Sequence, residues 1–331
     1  MFFKKLSALA EVLLVLALGN IIGEAIFSTI APDSLADGTA SEMSAAVYSG
    51  LLILLRLGLA GVLGFSLLFY RRRITPRQAG LTRNNIPLAD LIGQGVVMGL
   101  VASFLVALLF FTHSLIPLGN GLPAWWSYSE IPVNGAFVVS LLSTSILIPP
   151  LTEEIMTRGY FRVRLVEDYG VMAGVVLTGL VFGLSHTRYL QADGMLLLFM
   201  SIILVNSITW TYIAQKTGSI IAPLIAHAVS NGIATAILFN LWVPFVIVTL
   251  SVLLLRKPIY KTIKMFFQDW KQDAQRSNVW QGLAIVVTIL IFALIMLNQV
   301  GRSTTLIALG VFSLVVTIGN LVTEKRVAGR A

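Results

Sequence analysis

Long runs of apolar residues recur along this 331-residue chain, and they restrict its fold more than any other feature. A helix needs about 20 mainly apolar residues to cross a bilayer. Backbone groups inside lipid must be hydrogen-bonded internally, so each such run is expected to form a helix. Only 11% of the residues are charged, whereas an ordinary soluble domain has about a quarter. We therefore expect an all-α integral membrane protein.

The apolar runs predict a polytopic transmembrane helical bundle of about ten spans. It divides into an eight-helix core in residues 1–255, a basic amphipathic interfacial linker in 256–280 and a two-span extension in 281–331. The linker places Phe266, Phe267 and Trp270 on one apolar face and is expected to lie along the inner leaflet. Spans are expected near residues 8–29, 44–70, 91–113, 134–156, 170–186, 195–213, 220–238, 239–255, 281–299 and 304–322.

Lysine and arginine are concentrated in alternate connecting segments. Residues 71–90 and 256–278 are rich in them, whereas 114–133 has neither, and Arg188 and Arg302 are the exceptions. The positive-inside rule then predicts that both termini are cytoplasmic, and we expect the membrane to be a bacterial plasma membrane. The net charge of +8 is accordingly interpreted as a topology signal and a contact with anionic lipid, not as a nucleic-acid surface.

Ionisable residues within spans are costly and are candidates for function. One of them, Arg56, is expected to pair with Glu24 or Glu11 from the first span, or to snorkel toward the membrane surface. The chain has no cysteine, which excludes a disulfide, a thiolate nucleophile and a cysteine-ligated metal.

The segment PPLTEEIMTRGYFRVRL, residues 149–165, is the most informative. Its proline pair is expected to break the preceding span and start a new helix, with Glu153 and Glu154 in the first turn. Glu154 and Arg158 are four residues apart and are expected to form an ion pair on one helix face. Glu153 points about 100° away and is the candidate for chemistry. The alternative is that both acids only cap a helix at the membrane edge.

The next predicted helix places Phe182 and His186 four residues apart. If the chain turns near Asp168, then Glu153, 15 residues before it, and His186, 18 residues after it, lie at similar depth. A glutamate beside a histidine in a poorly hydrated site is a natural acid/base pair.

His227 and Asn231 are also four residues apart, within an otherwise apolar span. Their N–H groups could donate hydrogen bonds to an oxyanion. The alternative is a hydrogen bond between helices, which is common for these residue types in membrane bundles.

The three patterns together resemble the motifs of the CPBP (Abi) family of intramembrane proteases. That family includes the eukaryotic endopeptidase that removes the last three residues of prenylated CAAX proteins. The residues that carry the resemblance are Glu153-Glu154-x-x-x-Arg158, Phe182-x-x-x-His186 and His227-x-x-x-Asn231, within a similar region of about residues 71–240.

The resemblance implies a role for each motif residue. Glu153 and His186 would activate a water, whereas His227 and Asn231 would stabilise the tetrahedral oxyanion. Glu154 and Arg158 would support them, and Phe182 belongs to the second motif. It also implies a peptidase without metal or other cofactor, acting on a membrane-associated peptide or protein, with prenylated proteins and bacteriocin-related peptides among the candidate substrates.

Other functions are also compatible with these residues. Two histidines and a glutamate can bind catalytic zinc, although the H-E-x-x-H pattern is absent. A rhomboid-like serine protease is disfavoured because GLSH at 183–186 lacks the second glycine of G-x-S-x-G, and the spans lack the two aspartates of an aspartyl protease. A catalytically silent membrane scaffold or transport accessory is the main alternative. A transporter with Glu153 as proton carrier is another.

Overall fold

The computed structural model describes residues 6–36, 41–119, 134–186, 189, 193–274, 284–291 and 307–316, and every regular element in these ranges is helical. The predicted all-α class is confirmed. Residues 284–291 and Ile307–Val316 are also helical. The other helices are α1 Ser7–Ile30, α2 Asp33–Ala36, α3 Glu42–Ser66, α4 Leu88–Leu115, α5 Gly135–Leu141, α6 Ile148–Glu154, α7 Arg162–Tyr169, α8 Val171–Leu184, α9 Gly194–Thr217, α10 Ile221–Phe239, α11 Trp242–Leu254 and α12 Arg256–Ala274.

Six helical runs among the described residues are long and apolar enough to cross a bilayer, or seven if the pair α11–α12, bent by 70°, counts as one span. The predicted count of about ten is therefore not confirmed. At 14 residues, α8 is about 21 Å long, shorter than a hydrocarbon core of about 30 Å. Of the two predicted C-terminal spans, only parts lie within the described residues. The six runs are Ser7–Ile30, Glu42–Tyr70, Leu88–Leu115, Gly135–Tyr169, Gly194–Thr217 and Ile221–Phe239.

The run from Gly135 to Tyr169 confirms one expectation about the proline pair and corrects another. The chain bends at Leu147 and a new helix starts with the prolines in its first turn, as expected, and the run also has two π-helical turns at Leu142–Ile146 and Ile155–Phe161. Because proline fits the first turn of a helix, α6 already begins at Ile148 and includes both prolines. The expectation that the two glutamates lie in the first turn is therefore wrong, since they end α6.

Helix α1 packs closely on α3. A Cβ atom added to Gly23 would lie 2.7 Å from the backbone of Arg56, so only glycine permits this approach. Beside it, Arg56 forms an ion pair with Glu24, which confirms one of the two expected partners. The described residues of the C-terminal extension also share the core with α1, through Ala284, Leu309 and Val316.

Glu11 of α1 joins this helix to the long run that carries the first motif. Its carboxylate accepts hydrogen bonds from Tyr160 Oη at 3.1 Å and from Arg164 Nε at 3.1 Å. Arg72 lies 3.4 Å from the same carboxylate. Arg164 is almost fully buried, and a charge taken out of water is tolerated only when it is paired. Glu11 therefore fixes α1 against α7.

Two glycines of α4 bring α10 close. A Cβ atom at Gly95 would lie 2.6 Å from the carbonyl oxygen of Ala222, and one at Gly99 would lie 2.8 Å from that of Ala226. Because Ala226 directly precedes His227, this contact sets the position of the third motif.

The loop before α4 closes one end of the bundle. Gly80 adopts a φ of 80°, in the left-handed region that favours glycine. Its carbonyl accepts a hydrogen bond from the backbone N–H of Ile220, at 2.9 Å. The neighbouring Ala79 carbonyl accepts one from Arg162 Nη2, at 3.3 Å. We call this end, which carries the loop 71–86, Lys216 and α12, the basic end.

Candidate active site

The Glu154–Arg158 pair lies at the centre of the site and is completely buried. Arg158 Nη1 donates to Glu154 Oε1 at 2.8 Å, and neither side chain is accessible to solvent. The ion pair predicted from the four-residue spacing is thus confirmed. Arg158 itself lies in the π-helical turn that follows α6, a local geometry that is frequent at functional sites.

Helix α9 supplies further partners for Arg158. Its Nη2 donates to Ser207 Oγ at 2.7 Å and to the Ser207 carbonyl at 3.1 Å. The guanidinium carbon lies 4.8 Å from the ring centre of Phe182 and 5.7 Å from that of Trp210. Aromatic faces stabilise a desolvated cation. The sequence analysis missed Ser207 and Trp210, although their three-residue spacing on an apolar helix was a usable signal.

His227 lies between the two adjacent glutamates. Its Nδ1 is 2.8 Å from Glu154 Oε1, and its Nε2 is 3.8 Å from Glu153 Oε2. The same Glu154 oxygen also accepts the hydrogen bond from Arg158. Nδ1 is thus the nitrogen engaged with Glu154, and Nε2 is the nitrogen that faces Glu153. The gap of 3.8 Å is too long for a direct hydrogen bond and suits a bridging water.

Phe182 connects the second motif with the third. Its ring centre is 4.6 Å from that of His186 and 6.2 Å from that of His227. His186 Nδ1 lies 2.9 Å from Ser185 Oγ and 3.1 Å from the Phe182 carbonyl oxygen. The structure thus brings both histidines to one aromatic ring. The expected pairing of Glu153 with His186 stays a prediction.

Asn231 lies one turn beyond His227 on α10. Its Nδ2 donates to the Ser145 carbonyl at 2.9 Å. That carbonyl lies in the π-helical turn Leu142–Ile146. An amide nitrogen has two hydrogens, so this contact orients the side chain and leaves the second hydrogen for another acceptor.

We next ask whether the side chains of the candidate site could ligate a metal ion. In the part of the chain that the structure describes, no three His, Cys, Asp or Glu side chains are grouped so that they could hold an ion. In the cluster itself, Nδ1 of His227 and one oxygen of Glu154 are engaged with each other. The remaining nitrogen of His227 and Glu153 supply two donors, whereas a catalytic zinc site needs three protein ligands.

Six of the seven motif residues lie on three converging helical segments, and the seventh, His186, lies in the turn that follows the second of them. The 135–169 run carries Glu153, Glu154 and Arg158, whereas α8 carries Phe182 and leads directly to His186. Helix α10 carries His227 and Asn231.

Comparison with known proteins gives one match. Residues 135–233 match the family model described as type II CAAX prenyl endopeptidase Rce1-like. No curated protein and no solved structure matches the chain. The matched segment contains all three motifs, which agrees with the resemblance predicted from them. Residues 135–233, which carry the candidate site, are thus similar to the type II CAAX prenyl endopeptidase Rce1-like family.

Proposed function

We propose that this protein is an intramembrane endopeptidase that hydrolyses a peptide bond with a water activated by Glu153. The observation that carries the proposal is the position of His227, which faces Glu153 through Nε2 and is held by Glu154 through Nδ1. A carboxylate and an imidazole about one water apart are suited to general acid–base catalysis. The family of the matched segment supports the same reaction class.

In this mechanism Glu153 accepts a proton from the water while the oxygen attacks the carbonyl carbon of the substrate. His186 assists by holding the water, as the resemblance implies. The C=O bond becomes a C–O⁻ single bond in a tetrahedral intermediate. Collapse of that intermediate breaks the C–N bond, and the proton on Glu153 passes to the leaving amine.

His227 and Asn231 are proposed to stabilise the oxyanion. Asn231 is already oriented by its bond to Ser145, so its second N–H needs little reorganisation. Glu154 holds His227 through Nδ1, so Nε2 is the nitrogen that faces the reacting atoms beside Glu153.

Arg158 is proposed to act on the reaction through Glu154. It pairs with the carboxylate that holds His227, and it is fixed in turn by Ser207. Glu154 and Arg158 are thus positioning residues, in agreement with the supporting role that the resemblance implies.

We propose that the substrate is a membrane-associated peptide or protein, with prenylated proteins among the candidates. The reason is that the site lies within helical runs that are apolar enough to span a bilayer, so the substrate must arrive in or on the membrane. The positive-inside rule favours a cytoplasmic location for the basic end. Both terminal segments, residues 1–5 and 317–331, lie outside the described residues. Their cytoplasmic location, the bacterial plasma membrane and the division into core, linker and extension stay predictions.

The test is cleavage of a fluorogenic farnesylated CAAX-type peptide and of a membrane-peptide library by purified protein in detergent. Glu153→Gln keeps the size of the side chain and removes the base, so we expect activity to be lost. Glu42→Gln is the matched control, since Glu42 is an exposed carboxylate at the start of α3. Its activity should equal that of the wild type.

Three other results of this experiment would contradict the proposal. Loss of cleavage on adding a chelator, restored by zinc, would support the metallopeptidase instead. Equal cleavage by the wild type and by Glu153→Gln would exclude Glu153 as the base. Absence of cleavage by the folded wild type, together with full function of Glu153→Gln in the host, would indicate a scaffold.

A further inference from the structure

Helix α12 leaves the bundle sideways at the basic end. It follows α11 after a bend of 70° and contacts two other helices through its acids. Asp269 accepts a hydrogen bond from Tyr212 Oη at 2.6 Å and pairs with Lys216 at 2.7 Å. Asp273 accepts one from the backbone N–H of Met172 at 2.8 Å. Both acids of α12 are therefore turned toward the protein.

The inward face of α12 is completed by an aromatic contact. Phe266 packs edge-to-face on Tyr212, with ring centres 5.1 Å apart. Phe266, Asp269 and Asp273 follow one another at intervals of three and four residues, which is one stripe of a helix. This stripe fixes the rotation of α12 about its own axis. It also corrects the expectation that Phe266 shares one apolar face with Phe267 and Trp270, because Phe266 packs against the protein and the other two are exposed.

A second stripe is apolar and exposed. Tyr260, Ile263, Phe267 and Trp270 recur at the same three- and four-residue intervals. Their exposed fractions are 67%, 50%, 63% and 38%. Aromatic and aliphatic side chains in this pattern are typical of a helix that lies in the plane of a membrane surface.

A third stripe is basic and lies beside the apolar one. Its lysines are all exposed, and the acids that would neutralise them face the other way. The outward charge of α12 is therefore entirely positive. An anionic headgroup is the partner that fits such a stripe. The members of the stripe are Lys257, Lys261, Lys264 and Lys271.

We infer that α12 is a membrane-surface helix that binds anionic phospholipid headgroups and, through Asp269 and Asp273, holds the ends of α8 and α9 at that surface. The occupant is the anionic leaflet of the bilayer in which the protein sits. The inference is independent of the proposed peptidase activity, because it rests on the charge and exposure of α12 alone. By holding α8 and α9, α12 would also help to position the candidate active site, since α8 carries Phe182 and α9 carries Ser207 and Trp210.

The test uses spin labels attached to single introduced cysteines. Because the chain has no cysteine of its own, each label is bound at one known position. The full chain carrying Phe267→Cys or Gln268→Cys is placed in nanodiscs of phosphatidylcholine, with and without phosphatidylglycerol. The two positions differ by about 100° around the helix. We expect the label at 267 to be more accessible to oxygen and the label at 268 to a water-soluble nickel chelate. Phosphatidylglycerol should increase this contrast.

Charge variants test the headgroup contact. A lysine near an anionic surface strengthens attraction by about fivefold, so Lys264→Gln should weaken the response to titrated phosphatidylglycerol by about that factor. Replacing all four lysines by glutamine should abolish it. Arg83→Gln removes the same charge from the same end but outside α12. Its titration should lie closer to that of the wild type than that of Lys264→Gln does, because the labels report on α12 and the effect of a charge falls off within a Debye length.

Several results would overturn the inference. Equal accessibility of both labels to the nickel chelate would indicate that α12 is in water. Burial of both at the bilayer centre would make α11 and α12 a broken span. Exclusion of both reagents at 267 would indicate a protein contact, such as a second copy. A response that does not depend on phosphatidylglycerol would exclude the anionic headgroup.

Discussion

The imidazole of His227 is hydrogen-bonded through Nδ1 to the buried carboxylate of Glu154, at 2.8 Å. The same carboxylate oxygen accepts the hydrogen bond from Arg158, so one atom fixes both the ion pair and the histidine. The adjacent Glu153 faces the other nitrogen of the imidazole, across 3.8 Å. We therefore expect the neighbouring glutamates Glu153 and Glu154 to have different roles.

The first prediction compares these two glutamates in stability. Glu154→Gln leaves Arg158 buried without a negative partner, and removing one member of a buried ion pair costs about 3–5 kcal/mol. Glu153→Gln keeps Arg158 paired and should change the free energy of unfolding by less than about 1 kcal/mol. Thermal unfolding in detergent, followed by tryptophan fluorescence, measures both. Equal destabilisation by the two variants would contradict separate roles.

The second prediction concerns Ser207, a residue that the motifs do not include. Ser207→Ala removes the hydroxyl that accepts a 2.7 Å hydrogen bond from Arg158. Hydrogen bonds to charged groups contribute about 1.5–3 kcal/mol, so we expect a loss of stability of that size. We also expect a lower kcat with nearly unchanged KM, because Glu154 and His227 lose their fixed position.

The control for Ser207 is Ser201→Ala on the same helix. Ser201 is exposed, and its hydroxyl bonds only to the backbone of its own helix among the described contacts. This variant should change neither stability nor kcat. A Ser207→Ala protein that behaves like Ser201→Ala would show that Arg158 does not need the Ser207 hydroxyl.

The contacts within the first motif could be predicted from the sequence, because they depend on spacing along one helix. The four-residue separation of Glu154 and Arg158 was enough to predict their ion pair. Contacts between helices depend on how the helices pack, which no local spacing reveals. Two contacts of this second kind are that of His227 with Glu154 and that of Ser207 with Arg158. The π-helical turn at Ile155–Phe161 was not predicted either.

The predicted span count is not confirmed among the described residues, and α8 shows one physical reason. Hydropathy predicts that a segment is apolar, but α8 can be short because neighbouring helices bury it. Nearly all of its side chains are buried in protein, so its length does not have to match the bilayer. The predicted division between the spans 220–238 and 239–255 lies close to the observed one, since α10 ends at Phe239 and α11 begins at Trp242.

The third prediction tests the packing of α4 on α10. Gly99→Ala would place a Cβ atom 2.7 Å from Val229 Cβ and 2.8 Å from the Ala226 carbonyl. Overpacking of this kind costs about 1–3 kcal/mol, and it should also displace His227. We expect lower thermal stability together with lower kcat.

Gly93→Ala is the matched control for that packing. A Cβ atom at Gly93 meets nothing within 4 Å, and alanine is favoured over glycine within a helix by up to about 1 kcal/mol. The protein should therefore be unchanged or slightly more stable. Equal behaviour of the Gly93 and Gly99 variants would exclude close α4–α10 contact as the factor that positions His227.

The fourth prediction assigns Asn231 to the transition state. Removing one oxyanion donor lowers kcat by about 10²–10³, and Asn231→Ala should do so while KM changes little. Asn231→Asp keeps the shape but places a carboxylate near the developing negative charge, so its kcat should be lower than that of Asn231→Ala. Neither alanine nor aspartate can donate to the Ser145 carbonyl, so thermal unfolding is measured beside kcat, with the same fluorogenic peptide at saturating concentration. A fall in kcat without loss of thermal stability would assign Asn231 to the transition state, whereas a parallel loss of stability and activity in both variants would assign it to a structural role.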